Sequence, residues 1–426
     1  MSEVPRSEFV AAKGNGPDAL FTNKTVLISG ASVAGPALAY WLQRYGFTVT
    51  VVEEAPALRE GGYKVDIRGA AMQVIDRMGL LPEVGRASTA MRGGDWVDGS
   101  GKTLATLGPD LIGLRGPGDD EVLRGDLARI LFDATKGEVQ YLFGDSILDL
   151  TEEAAGVTVR FRHADPRVFD LVIGADGMHS TVRRSIFGPE EQFAKHTGMA
   201  ACVISVPNYL NLDHWELVHP TPGQIVQVYS TQENTAKAQF IFGAPEQLPE
   251  RGDIAAQQRV VAEAFADAGW ETQNLLRLMA ESPDFYFDSV SQIHLERWSS
   301  GRVALVGDAA YSPSPLSGQG TSMALVGAYV LAGELNAANG DYTIAFDAYQ
   351  TRMSEYVDLN LTLGWTNAKQ MVAADKRGLK IQTTALRVMR RLPWKGMALR
   401  SIMKPLNHAS NAIKLEQYAP AAQTAA

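Results

Sequence analysis

The sequence predicts an α/β protein with three parts: a dinucleotide-binding βαβ unit, an inserted domain built on an antiparallel sheet, and a helical C-terminal segment. Three observations carry this. Residues 24–29 (KTVLIS) and 47–52 (FTVTVV) read as buried strands on either side of a glycine turn and a helix that Gly46 stops. A third apolar run, residues 303–306, ends at Gly307-Asp308 and leads through a Pro/Ser/Gly-rich loop into a helix expected over 321–335. Between them, residues 200–243 change to strands such as CVISV and AKAQFIF, where apolar and polar residues alternate.

The first unit carries a nucleotide fingerprint. Gly30 permits the tight turn after the first strand, and Gly35 permits close helix–strand packing. Ser32 stands where a middle glycine would let the backbone approach a pyrophosphate; its side chain is small enough to tolerate. Glu53 ends the second strand, placed to hold a ribose through two hydroxyls.

Residues 302–323 (RVALVGDAAYSPSPLSGQGTSM) repeat the logic at another strand end. Asp308 can accept hydrogen bonds from a sugar-like hydroxyl chain. The loop holding Gly318 and Gly320 opens onto a helix N-terminus, where free N–H groups and the helix dipole favour an electron-rich group. A flavin satisfies both, with ribityl hydroxyls for the acid and its N1–C2=O edge for the helix. Two further segments stand out. In residues 59–68 (REGGYKVDIR), paired glycines precede Lys64, Asp66 and Arg68, which alternate onto one strand face. In residues 122–127 (VLRGDL), Arg124 lies off the apolar stripe of a helix. Residues 170–183 (DLVIGADGMHSTVR) then bring Asp176 to a strand's C-terminal end, where open α/β sheets bind ligands. His179 receives no role.

GDAAYSPSPLSGQGTSMALVGAYVLAGEL resembles the GD motif of FAD-dependent aromatic hydroxylases, the p-hydroxybenzoate hydroxylase-like monooxygenases, and is nearest their tetracycline-inactivating members. The similarity covers roughly residues 23–350 and includes their DG motif (170–183) and RGDL-type segment (124–127). Many of those proteins have His where this chain has Tyr311; the tetracycline-modifying subgroup often has Tyr. The resemblance implies a Rossmann-type FAD domain with a discontinuous antiparallel-sheet substrate domain and C-terminal helices. It implies that Arg59, Asp66, Arg124 and Asp176 lie at the non-covalently bound FAD. It also implies that NADPH or NADH reduces the flavin, and that O₂ is passed through a C4a-hydroperoxyflavin to an aromatic or polyketide-like small molecule. Another FAD-dependent oxidoreductase of the same fold, a dehydrogenase or epoxidase, and a non-catalytic flavin-bound sensor remain open. The W-x-W-x-I-P signature of halogenases is absent. No substrate-activating base can be singled out.

A chain of 426 residues suits two domains and an appendage. The expected division is an FAD domain from 22–72, 100–183 and 278–350, a substrate domain from 73–99 and 184–277, and a helical segment over 351–426. Residues 1–21 read as a disordered tail rather than a signal peptide. The single cysteine, Cys202, excludes an internal disulfide framework and suits a cytoplasmic protein. No run is long enough to span a membrane, and Asp213, His214, Glu216 and His219 read as a solvated loop rather than a metal site. The net charge of −9 is uneven: from Lys376 onward ten Lys/Arg face one acid, Glu416, so this segment carries +9 and the remainder −18. An acidic body with a basic helical end does not suggest nucleic acid. The basic segment is expected to pack on the acidic body, with a role as a lid, in preference to lying on a membrane. A monomer or homodimer is expected.

Overall fold

The computed structural model describes residues 22–59, 61–231, 234–391 and 395–419; the expected N-terminal tail lies outside them. Its first layer is a six-stranded sheet in the order Ser299–Ser300, Val303–Leu305, Leu171–Gly174, Thr25–Ser29, Thr48–Glu53, Gln140–Phe143. The five longer strands run parallel, with Val26 opposite Leu171 and Val172 opposite Val303. The three central strands are buried almost throughout, as their continuous apolar runs require.

Helix Gly320–Ala337 is buried on nearly every side, which its lack of a polar face anticipates. It packs against helices Ala34–Arg44, Ala70–Met78 and Tyr342–Met371. The last of these is one 30-residue helix, and Asp341 caps it by accepting from the Thr343 N–H at 3.0 Å.

The second layer is a seven-stranded sheet in the order Phe285–Ile293, Ala194–Pro207, Thr235–Gly243, Gln224–Ser230, Trp215–Thr221, Gly93–Val97, Thr103–Leu107. All its pairs are antiparallel except Trp215–Thr221 with Gly93–Val97. This sheet reaches beyond the segments expected for it, since the strands Phe285–Ile293 and Thr103–Leu107 complete it. Conversely, Val74 and Ile75 of helix Ala70–Met78 belong to the first core. One face of the sheet (Cys202, Val226, Phe240) packs on helices Ile254–Ala264 and Thr272–Met279 through Val261, Phe265 and Leu275. The other face packs on helix Tyr342–Met371 through Ala368 and meets Lys64 through Glu216. The loop expected at 213–219 is largely strand, and Glu216 and His219 are buried in it.

Candidate functional site

The three glycine-and-acid turns meet where the central strands end. Gly30 has φ +105°, and a Cβ there would lie 2.6 Å from the Ala175 carbonyl oxygen, so the first turn presses on the Asp176 loop. A Cβ on Gly35 would lie 1.9 Å from the Gly30 carbonyl oxygen, which leaves glycine as the residue that fits. Gly307, at φ +66°, stands more loosely: a Cβ there would lie 3.2 Å from the Ala34 methyl. Ser32 is partly exposed at this turn. The Glu53 carboxylate accepts from the Ala31 N–H at 2.8 Å and the Ala55 N–H at 3.0 Å, bracing both loops.

Asp176 is held by its own helix. It accepts from the Ser180 hydroxyl, the Thr181 N–H at 2.9 Å and the Val182 N–H at 3.2 Å, with Ser29 at 3.4 Å. Burial pushes its carboxyl above the usual range against these bonds. Arg183, fully buried, donates to the Met178 carbonyl, to the Ala309 carbonyl at 3.0 Å and to Glu190 at 3.0 Å. It thereby ties the Asp176 loop to the short helix Asp308–Tyr311.

Asp308, Asp66, Gly318 and Gly320 form one cluster. A Cβ at Gly320 would stand 3.5 Å from Asp308 Oδ1, and one at Gly318 would stand 3.2 Å from Asp66 Oδ2. Burial pushes the Asp308 carboxyl up, and Arg124 pulls it part of the way back. Burial also raises Asp66, opposed by Arg68 at 2.9 Å. Arg124 lies 6.0 Å from the Tyr63 ring centroid and within electrostatic reach of Tyr286, Asp308 and Glu53. It thus faces the site instead of solvent. Arg59 does not join the cluster; it is exposed, and its carbonyl, not its guanidinium, approaches Gly125.

Sequence reasoning missed three features. Gly125 packs on the 59–62 turn so closely that a Cβ would meet the Gly61 carbonyl oxygen at 2.4 Å. Gly125 stands in the quoted VLRGDL segment, but its need for glycine depends on a turn 64 residues away. Tyr63 and Tyr286, with ring centroids 5.6 Å apart, bring the two layers together beside Arg124. His179 sits between Glu190 at 3.0 Å and Asp288 at 2.9 Å.

Whether this cradle fits FAD is decided by its orphaned polar atoms. Ser314 Oγ, both amide atoms of Gln319 and Asp66 Oδ1 are buried without a hydrogen-bond partner. All border the N-terminus of helix Gly320–Ala337 or the acid beside it. Buried polar atoms ordinarily find partners, so those of Ser314, Gln319 and Asp66, three residues around one helix N-terminus, suit a polar-edged ring with hydroxyls attached. Among the described residues no group of three or more His, Cys, Asp or Glu could hold a metal ion.

Comparison with known proteins agrees. The family described as FAD binding domain matches residues 23–356. A flavin-dependent monooxygenase of Legionella longbeachae is 41% identical over 352 residues, covering 82% of this chain and 90% of its own. An uncharacterized protein of Mycobacterium tuberculosis is 49% identical over 345 residues, covering 79% and 91%. The crystal structures of the tetracycline destructases Tet(51) and Tet(55) superpose with TM-scores of 0.82 and 0.80 at 36% identity, over 93% of this chain and 100% and 99% of theirs. The chain belongs to the family of FAD-binding, flavin-dependent monooxygenases.

Proposed function

We propose that this chain is an NAD(P)H-dependent FAD hydroxylase acting on an aromatic or polycyclic, polyketide-like molecule. The supporting observation is the sheet face turned to the flavin layer. Strand register aligns Tyr286, Val203, Gln239, Gln227, Val218 and Trp96 in one cross-sheet row. Three strand spacings separate Tyr286 from Gln227, about 14 Å, the length of a flat molecule of three or four fused rings. On one side of this row, Lys237, Tyr229 and Glu216 form a polar row that engages the first layer, where Lys64 pairs with Glu216 and stands 4.8 Å from the Tyr229 ring centroid. On the other side, Ala201, Ile241 and Ile225 pack with Ala368. The middle row therefore offers two carboxamides between an apolar wall and an aromatic end.

Bound FAD supplies the redox chemistry and the activation of O₂. In this reading Asp308 and Arg124 would hold the cofactor, and the N-terminus of helix Gly320–Ala337 would favour negative charge developing beside it. Asp66, paired with Arg68, braces the loop at Gly318. The apolar row and helix Tyr342–Met371 exclude water from the reacting atoms. Gln227 and Gln239 orient the substrate edge. The chain's likeness to tetracycline destructases places tetracycline-like polycycles first among the compounds to test.

The experiment is NADPH and NADH consumption across a panel of polycyclic phenols under isotopically labelled O₂. Substrate-accelerated consumption with one labelled oxygen in the product is the expected result. Consumption without label in the product would point to a dehydrogenase, and tight binding without consumption to a sensor.

A further inference from the structure

The basic segment both packs on the protein and leaves a face uncovered. Helix Lys376–Arg391 lies against the strands Thr103–Leu107 and Trp215–Thr221. Thr383, buried, and Leu379 and Leu386, partly buried, form its inward side. The opposite stripe, spaced i, i+4, i+7, i+11, is Arg377, Ile381, Thr384 and Val388. Ile381 is 71% exposed and Val388 50%, two aliphatic side chains on one stripe, whereas Ile344, Val168 and Ile254, exposed to a similar degree, lie on other elements. Lys380 and Arg387 flank this stripe on one side, both exposed, and Arg387 Nε also donates to the Leu104 carbonyl. On the following helix, Lys395–Ser410, Ile402 is exposed, and Arg400 and Lys404, two residues to either side, are exposed on another face of the same helix.

We propose that this face docks on the surface of an anionic phospholipid bilayer. Aliphatic side chains bordered by Lys and Arg on a helix lying flat against its protein match a headgroup boundary: the cations meet lipid phosphates while the aliphatic tips enter the acyl edge. The charge distribution supports a lipid occupant, since Arg377, Lys380 and Arg387 stand on or beside this stripe in a segment that carries +9 while the rest of the chain carries −18. A second copy of the chain fits less well. Two aliphatic side chains offer far less than the roughly 800 Å² per partner of a stable protein interface. No helix among the described residues is long and apolar enough to cross a membrane, so the contact is with the surface. Because this helix also covers the substrate-side sheet, docking would place an apolar substrate dissolved in lipid close to the sheet that receives it. The proposal does not depend on which reaction the flavin performs.

The test is co-sedimentation of the full-length, flavin-loaded protein with sucrose-filled vesicles, either pure phosphatidylcholine or phosphatidylcholine with a substantial phosphatidylglycerol fraction. Expected at low salt is about tenfold more bound protein on the anionic vesicles, a preference that fades as salt is raised. Ile381→Asp with Val388→Asp abolishes the difference while flavin absorbance is retained. Should that pair lose flavin, Arg377→Glu with Lys380→Glu, both at exposed positions, provides the same readout. Absence of binding by the parent protein overturns the proposal. So does equal binding to both vesicle types, or undiminished binding by the charge-reversed variant. Vesicle-free dimerisation that the Ile381→Asp/Val388→Asp pair abolishes would assign the face to a second copy instead.

Discussion

His179 Nε2 stands 2.9 Å from Asp288 Oδ2, and this contact joins the loop after strand Leu171–Gly174 of the six-stranded sheet to strand Phe285–Ile293 of the seven-stranded one. Burial alone would lower the imidazole pKa. Hydrogen bonds and charge from Asp288 and Glu190 more than reverse that and hold it at about 9. A histidine whose folded pKa is raised stabilises the fold fully below its ordinary value, about 6.5, and loses that contribution as pH climbs through about 9. Thermal unfolding should therefore show stability falling between neutral pH and pH of about 9. His179→Gln should flatten that slope and cost about 1–2 kcal/mol at neutral pH, after discounting for partial solvent exposure. An unchanged slope in His179→Gln would remove the contact from the account.

Asp308 and Arg124 lie within electrostatic reach of one another, and both are proposed to hold the cofactor. Asp308→Ala removes a buried acceptor and leaves the guanidinium less balanced. FAD affinity should fall by about tenfold to a hundredfold, about 1.4–2.8 kcal/mol, and the purified protein should be mostly colourless. Arg124→Ala should weaken FAD by a similar factor, whereas Arg59→Ala should have little effect because that side chain is exposed. Flavin titration monitored by absorbance decides all three.

How much of this was legible in the sequence follows from the range of each constraint. Gly30, Gly35, Glu53 and Asp308 obey local rules: a strand ends, the chain turns, and a helix begins within a few residues. Arg124 could be noticed as a polar residue off an apolar stripe, but its partner Tyr63 is 61 residues away and depends on the fold. The sheet boundary was misjudged at Phe285–Ile293 because that strand serves two layers. Its alternate residues Tyr286 and Asp288 face the flavin layer, while Phe285 and Phe287 face the other core. His179 gave no local signal; its two carboxylates come from a turn and from a strand 109 residues away. The cluster at 213–219 misled because polar residues bordered by proline imitate a loop, whereas here Lys64 neutralises Glu216 on a buried strand.

Gly125 yields a prediction that its neighbour Arg124 does not. A Cβ there meets the Gly61 carbonyl oxygen at 2.4 Å and the Arg59 carbonyl oxygen at 3.1 Å, both backbone atoms that cannot rotate aside. Gly125→Ala must therefore displace the 59–62 turn or the start of helix Arg124–Asp133. The expected cost is about 1–3 kcal/mol of stability, with weakened FAD retention. Chemical denaturation measures the first and flavin release the second. Native stability with native flavin retention would show that the turn can yield without affecting the site.

Gln227 and Gln239 sit opposite one another on adjacent strands, in the row that runs from Tyr286 to Trp96. Gln227 is buried and Gln239 partly so. Neither touches the flavin-side acids, so their replacement should leave FAD binding intact. Gln227→Leu conserves much of the volume while removing a donor and an acceptor. A substrate that uses the amide should show KM raised by about three- to tenfold, the value of one neutral hydrogen bond. The kcat should change little if the bond is equally strong in the ground and transition states. Gln239→Leu should act in the same direction, and the double variant should depart from additivity because one substrate edge spans both amides. Binding is read without turnover from the perturbation of the flavin spectrum. An unchanged KM in both single variants, with a substrate the parent protein oxidises, would place the recognition edge elsewhere on the sheet.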